Sequence, residues 1–443
     1  MIMDIKQVLI DQREDLKQES AQTEVVEREI NRDFVRSRQI KVAMGVRRCG
    51  KSFLFNLALR NSVFGYANFD DEILAGVEPN ALLGSLIELY GSDLKTIFFD
   101  EIQNMDKWEL FVNRLYRAGY NIFITGSNSR MLSADLATAL TGRHIGIELF
   151  PFSFREYLRY AGLAYDGSTK SAGLTRHALN KYIEEGGFPQ VVVGRERPRL
   201  YLSQLYNSII DRDILARNRI SYRATFKEMA LAAMSNPGRY ISYNRVKNDF
   251  NLGSNHTAKN YFDYLARAYL LFQVGKFSFR PKEIEKSDKK TYAIDTGMTK
   301  GISTSSTEDR GSMMENVVAL DLMRMKSYWH NNMSFYYYKD YSQREVDFVI
   351  KYGAEIRQLI QVTYANVKSD IQRRETESLR FASKALRCKD LLVITWDYEG
   401  SEKREGNTIR FIPLWKWLLQ GGMSPPLPTP SSASTCLPPA ASV

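Results

Sequence analysis

The sequence predicts an α/β protein built on a parallel sheet, with a helical middle region and a second, smaller α/β region behind it. Three observations predict this. An apolar strand, Gln39–Met44, runs straight into a glycine-rich turn and a second apolar run, Phe53–Arg60. Short β-like runs recur at Phe64–Phe69, Thr96–Asp100, Asn121–Thr125 and His144–Leu149, separated by helical patterns such as Trp108–Ala118. Alternation of this kind places helices on the faces of a parallel sheet. Beyond residue 150 the pattern turns helical and later alternates again. At 443 residues the chain exceeds one ordinary compact core, so two or three domains are expected.

In chain order, residues 1–150 carry the sheet, preceded by a charged stretch, Asp11–Arg32, that lacks Gly and Pro and reads as a helix. Pro151–Phe154 marks the exit from that unit. Residues 151–200 read as a helical extension broken by a turn at Gly186-Gly187-Phe188-Pro189. Tyr201–Phe272 reads as all-helical with short turns. Within 201–285, Ser242–Phe250 and Ser254–Ala268 have the pattern helix, Gly-containing turn, helix, and Tyr269–Phe279 could supply the wing strands of a winged variant. The second helix presents Ser254, Asn255, His256, Lys259 and Asn260, residue types that suit phosphates and base edges. Winged helices also dock proteins, so the pattern leaves both roles open.

Residues 286–420 alternate again. Helix Met313–Lys326 is followed by strands Phe335–Lys339, Glu345–Lys351 and Ile356–Val362, a charged helix through Ser369–Leu386, strand Leu391–Thr395 and a last helix, Leu414–Leu419. Arg373, Arg374, Arg380, Lys384 and Arg387 share that charged helix or its end, as a solvated face or a track for a phosphate backbone. Residues 421–443 are Pro, Ser and Ala with almost no charge and are expected to form a disordered tail.

Composition narrows the classes. No apolar run is long enough to cross a bilayer, and Met1–Ser20 has no apolar core of a secretory signal. Cys49, Cys388 and Cys436 are widely spaced, without CxxC pairing, which argues against a disulfide framework or a thiolate metal site. A cytoplasmic location without membrane attachment is the expectation. The formal charge of +10 and pI of about 9.2 suggest a polyanionic partner, since each Lys or Arg on a phosphate releases counterions. Many soluble proteins are basic for solubility alone, so charge by itself does not establish nucleic acid.

Gly45-Val46-Arg47-Arg48-Cys49-Gly50-Lys51-Ser52 fits G-x-x-x-x-G-K-[ST] without a mismatch, and Phe53 continues it into the helix. Glycines let the backbone curl so that successive N–H groups point at phosphate oxygens. Lys51 places a charge near the β/γ-phosphates, and the Ser52 hydroxyl suits Mg²⁺. The helix that follows adds its positive N-terminal dipole. ATP with Mg²⁺ is the expected ligand pair.

Thr96-Ile-Phe-Phe-Asp100-Glu101 is an apolar strand ending in two carboxylates. Asp100 suits the metal, and Glu101 suits polarising the water that attacks the γ-phosphate. The next strand ends Thr125-Gly126-Ser127-Asn128, where Ser127 or Asn128 is placed to sense that phosphate. Arg143, before the strand His144–Leu149, is a candidate to stabilise transition-state charge from a neighbouring subunit.

Together these pieces resemble the AAA+ side of the P-loop ATPases. More specifically the chain is similar to a prokaryotic AAA+ family with a helical, winged-helix-like middle domain and a C-terminal domain of restriction-endonuclease-like fold. The carriers are Gly45–Ser52, Phe98–Gln103, Thr125–Ser129, Leu140–Arg143 with Leu149–Glu156, Glu185–Pro189, and Glu345-Val-Asp347-Phe-Val. The resemblance spans about residues 20–420 and implies a homo-oligomeric ATPase acting on DNA, with branched or junction DNA as the suspected substrate. In that nuclease-like fold the aligned positions here are Glu315, Asp347 and Gln361-Val-Thr363. Neutral Gln361 is a poorer ligand for a hard cation and Thr363 lacks the lysine charge, so the resemblance implies a degenerate site without strand cleavage. Three readings follow: a DNA-remodelling ATPase, a switch-type ATPase gating a protein partner, and an ATP-dependent nuclease.

Overall fold

The computed structural model describes residues 4–22, 24–127, 140, 142–194, 196–303, 309–404 and 406–420. Asn128, Cys436 and the expected tail at 421–443 lie outside the described residues.

The first sheet comprises β1 (Ile40–Gly45), β2 (Gly65–Asn68), β3 (Thr96–Asp100), β4 (Asn121–Gly126) and β5 (His144–Leu149) in the order β2-β3-β4-β1-β5, all parallel. β1 is buried along its whole length, which suits an apolar run covered on both faces. Because β4 lies between β1 and β3, the ends of all three strands open on one edge of the sheet. That edge receives the glycine-rich loop, the carboxylate pair and Ser127.

The N-terminal helix runs Ile5–Gln22, earlier than the expected Asp11–Arg32, and residues 24–30 carry no helix. Arg28 explains the difference. Its guanidinium is buried against Glu156 at 3.0 Å and donates to the Cys49 and Phe150 carbonyls, which holds this stretch away from helical geometry and across the loop. Charge composition alone cannot separate such a buried arginine from a helix surface.

Helices Phe154–Tyr160 and Thr169–Glu185 follow the sheet, the first opened by a capping box of Ser153 and Glu156. Gly186 and Gly187 then form a tight joint. A Cβ on Gly187 would stand 2.4 Å from the Phe152 carbonyl oxygen, and one on Gly186 2.0 Å from Asp295 Oδ1. Helix Pro198–Ser208 continues into a π-helical turn, Ile209–Leu215.

The middle region holds helices Arg223–Met234, Tyr243–Asp249 and Asn255–Arg267 with strands β6 (Tyr240–Ile241), β7 (Leu271–Val274) and β8 (Lys289–Ala293). These strands form an antiparallel sheet in the order β6-β8-β7. The all-helical expectation for Tyr201–Phe272 therefore fails at Tyr240–Ile241, a two-residue strand with too little length to show a period. The expected boundary at residue 285 also cuts this sheet, because β8 pairs with both β6 and β7.

The last region is a six-stranded sheet of β9 (Met333–Lys339), β10 (Glu345–Tyr352), β11 (Glu355–Val362), β12 (Leu391–Thr395), β13 (Gly400–Arg404) and β14 (Asn407–Pro413), ordered β13-β14-β12-β11-β10-β9. Helices Arg310–Tyr328 and Arg373–Leu386 pack on its two sides, in separate apolar clusters. Helix Arg310–Tyr328 also closes the outer edge of the first sheet. Ser327 Oγ accepts from Glu148 N–H at 2.8 Å and donates to its carbonyl at 3.0 Å, while Tyr328 OH accepts from Phe150 N–H. Arg324 donates to the Pro151 and Phe152 carbonyls. An edge strand is thereby covered rather than left open.

Candidate functional site

Gly45 must be glycine. Its φ is 146°, and a Cβ there would lie 2.0 Å from the Leu149 carbonyl oxygen on the neighbouring strand. Gly50 has φ 93° and opens the helix Lys51–Leu59, whose first turn carries Lys51, Ser52 and Phe53. Val46 and Cys49 are buried beneath the loop, and the Cys49 thiol meets the Leu149 carbonyl at 3.3 Å. Arg48 adopts a left-handed φ of 68°, while Arg47 turns to Asp70 at 3.2 Å and Asp213 at 3.5 Å.

Lys51 Nζ donates to the Gly45 and Val46 carbonyls at 3.2 Å and lies 3.6 Å from Glu101 Oε1. Burial opposes its charge, but Glu101, Cys49 and Asp100 together more than offset this and hold the ammonium above its usual range. Glu101 shows the converse. Burial works against its ionisation, yet Lys51 and hydrogen bonds from Gln103 and Ser127 hold its carboxyl below the usual range. Ser127 also donates its backbone N–H, 3.1 Å from Glu101 Oε2.

Asp100 is buried and takes hydrogen bonds from Thr125, Ser52 and Tyr66. Burial and the adjacent Glu101 charge push its carboxyl up to about 6. A divalent cation fits here. It would relieve the repulsion between two neighbouring carboxylates, and Ser52 and Asp100 are already within bonding distance of each other. Ser52 and Asp100 are the side chains placed to hold Mg²⁺, which would supply charge neutralisation at the phosphates.

The loop opens into a cleft of about 710 Å³. Arg47, Lys51, Ser52, Asp100 and Glu101 line it together with Val26, Phe152, Tyr160, Pro189 and Val193. It thus offers polar and charged groups suited to phosphates and apolar groups suited to a base.

The structure gathers Gly45 through Phe53, Asp100, Glu101 and Ser127 at one edge. It does not bring Arg143 there. Arg143 precedes β5 beside Ile40, where β1 begins, whereas the phosphate loop follows Gly45, where β1 ends. Five residues of strand separate them, roughly 17 Å.

Sequence reasoning missed Gln103, which bonds Glu101 two residues away, and Arg28, Tyr66, Thr125 and Asp213, whose partners lie far along the chain. Thr125 carries a signal in hindsight: it ends the strand next to the carboxylate strand. Asp213 has none, because it reaches Arg47 from the π-helical turn after helix Pro198–Ser208. Such turns often mark functional sites.

A second charged cluster lies between the middle and last regions. Lys290 Nζ on β8 is 2.9 Å from Glu315, 2.6 Å from Glu345 and 3.0 Å from Asp347. Tyr292 OH donates to Glu315 at 2.6 Å, and Val362 N–H to Asp347 at 2.9 Å. Burial and the charge of Asp347 push the Glu315 carboxyl up to about 7. Gln361 on β11 and Thr363 just past its end are buried, the Thr363 side chain bonded to Glu375. Lys290 was absent from the sequence-based set because it belongs to a strand of the preceding region.

A family model described as an AAA domain matches residues 37–158. Two models described as domains of unknown function, DUF8612 and DUF4143, match residues 176–308 and 310–417. The chain is 34% identical over 414 residues to uncharacterized protein MJ1544 of Methanocaldococcus jannaschii, covering 88% of this chain and 91% of that one. It is 30% identical over 409 residues to an uncharacterized protein of Haemophilus influenzae, covering 86% and 94%. Among solved structures, a Walker-type ATPase of Pyrococcus abyssi aligns with a TM-score of 0.41 and 12% identity, covering 63% of this chain and 96% of that one. No described helix is long and apolar enough to cross a membrane.

Proposed function

We propose, from the premise that this chain belongs to the family of the M. jannaschii protein MJ1544 and is an AAA-type P-loop ATPase, that it couples ATP hydrolysis to binding and remodelling of DNA. Lys51 and the loop N–H groups hold the phosphates, Ser52 and Asp100 hold Mg²⁺, and Glu101 orients the attacking water. Ser127 reports on the γ-phosphate through its N–H to Glu101. Arg143, at the opposite end of the sheet from its own loop, serves a neighbouring copy in a homo-oligomer.

The observation that carries the DNA reading is the order helix, strand, helix, helix, strand, short helix, strand across residues 223–293, that of a winged helix with a short helix, Pro281–Lys286, between its two wing strands. Helix Asn255–Arg267 buries Ala258, Tyr261, Phe262 and Leu265 and leaves Asn255, His256 and Lys259 exposed. The +10 charge of the chain supports a polyanionic partner. The last region fits a nuclease-like fold whose centre is occupied by Lys290 and serves binding or assembly rather than cleavage.

The test is ATPase activity of wild type and Glu101→Gln without DNA, with linear duplex and with a four-way junction, alongside gel-shift binding at low salt. Junction-stimulated hydrolysis, lost by roughly a hundredfold or more in Glu101→Gln with nucleotide binding kept, is expected. Turnover unaffected by DNA, with no shift of the junction, sinks the DNA reading and leaves a switch-type ATPase.

A further inference from the structure

We infer that Phe279 and Tyr341 form a platform on which unpaired bases of a DNA strand stack, an inference that rests on the DNA reading and names the form of DNA it takes. Gly275–Phe277 runs alongside β9. Tyr337 N–H donates to the Gly275 carbonyl at 3.1 Å, Phe277 N–H donates to the Tyr337 carbonyl at 2.6 Å, and Lys276 pairs in parallel with Tyr337. The wing of the middle region and the hairpin between β9 and β10 therefore point the same way. Phe279 comes two residues past Phe277, and Tyr341 four residues past Tyr337. Counted from the paired residues Lys276 and Tyr337, Phe279 lies three residues on and Tyr341 four, so the two aromatics follow the paired segments at the same end, about one residue (roughly 3 Å) apart in register.

Both rings are exposed where the fold does not require them. Phe277 is buried and anchors the wing against Tyr336, but Phe279, edge-on to it at 5.2 Å, is 75% exposed. Tyr341 is 97% exposed. Its turn is closed without it, by Asp340 accepting from the Ser342 and Arg344 N–H groups and pairing with the Arg344 guanidinium. That guanidinium also lies 3.7 Å from the ring centre of Phe381, itself 47% exposed. In sequence, Lys276, Arg280 and Lys282 surround Phe279 and Arg344 follows Tyr341, with Arg280 paired to Glu283 and Arg344 to Asp340.

Isolated exposed aromatics set among cations do not make the contiguous apolar patch that a protein partner covers. They match the requirement of a single strand, with flat rings for base faces and charges for the phosphates between. A duplex keeps its base faces paired and stacked, so it gains only the charges.

The test uses the full chain with fluorescently labelled oligothymidine and a duplex of equal length, read by anisotropy at low salt. Phe279→Ala and Tyr341→Ala should each weaken single-strand binding by roughly tenfold, while Tyr341→Phe retains it. Duplex binding and basal ATPase activity should change little. Unaltered single-strand affinity in the double alanine variant overturns the platform and leaves the DNA reading standing. Equal losses for duplex and single strand also overturn it. A wild type that binds neither DNA overturns both.

Discussion

Glu101 sits at a left-handed φ of 50°, a conformation that costs a non-glycine residue about 1–3 kcal/mol and persists only when its surroundings enforce it. Here the enforcers are visible: Thr125 accepts its N–H at 3.0 Å, and Lys51, Gln103 and the Ser127 N–H hold its carboxylate. Strain at that residue turns the side chain from β3 toward the phosphate loop. Lys41 is the opposite case, a buried cation with no carboxylate against it among the described residues. It donates to the Ser37 carbonyl and to Asn121, over the Phe123 ring at 4.4 Å, and burial pushes its ammonium down to about 8 from 10.5. Between those two values the unfolded chain binds more protons at this lysine than the folded one. Stability therefore gains from Lys41 as pH rises from 8 to 10.5, and that increment should be missing in Lys41→Met. Urea denaturation across this range checks it, and identical pH slopes for the two proteins would sink it.

At the scale of elements, the joint between helices Thr169–Glu185 and Thr296–Ile302 ties the nucleotide cleft to the middle region. Asp295 caps the second helix through the Met298 N–H at 2.9 Å and also accepts the Gly187 N–H at 2.7 Å. A Cβ on Gly297 would stand 2.2 Å from the Glu185 carbonyl oxygen, so the backbones touch. Asp295→Ala leaves two buried N–H groups unpaired, at about 1–3 kcal/mol each. Its unfolding free energy should fall by roughly 2–6 kcal/mol, with Asp295→Asn between it and wild type. A loss under about 0.5 kcal/mol, the range of an ordinary surface change, would refute the joint. The turn at Gly186–Pro189 was legible in the sequence, but its partner was not. The same limit recurs elsewhere. The loop Gly45–Ser52 and the pair Asp100–Glu101 are local patterns, and the sequence reading located them. Arg28 with Glu156, Asp213 with Arg47 and Lys290 with Asp347 depend on chain returns of over a hundred residues or across a domain boundary. Strand order is likewise a matter of tertiary choice. β13, Gly-Ser-Glu-Lys-Arg, went unread because it has no apolar residue to reveal a period.

Across the whole molecule, Lys290 joins the three-stranded sheet of the middle region to helix Arg310–Tyr328 and β10 of the last. Burial works against its charge, but Asp347 and Glu315 overcome that and hold the ammonium firmly protonated. One cation thus answers three carboxylates at 2.6–3.0 Å. Lys290→Met removes the charge and leaves Glu315, Glu345 and Asp347 facing one another, a loss of about 3–5 kcal/mol for a broken buried pair. Glu315, already pushed up to about 7, is the group that takes up a proton in response. A carboxyl raised in the folded state makes stability fall as pH rises through its titration, so the variant should be weakest above neutrality and recover in mild acid. Mn²⁺ at neutral pH should then raise the melting temperature of Lys290→Met, because a hard cation with oxygen ligands can replace the missing charge. It should leave wild type unchanged in the absence of nucleotide, and Asp347→Asn in the same background should abolish the rescue. A folded Lys290→Met that melts at the same temperature with and without Mn²⁺ would show that the ammonium is no stand-in for a metal. Stabilisation of nucleotide-free wild type through Asp347 would show instead that the centre still accepts one.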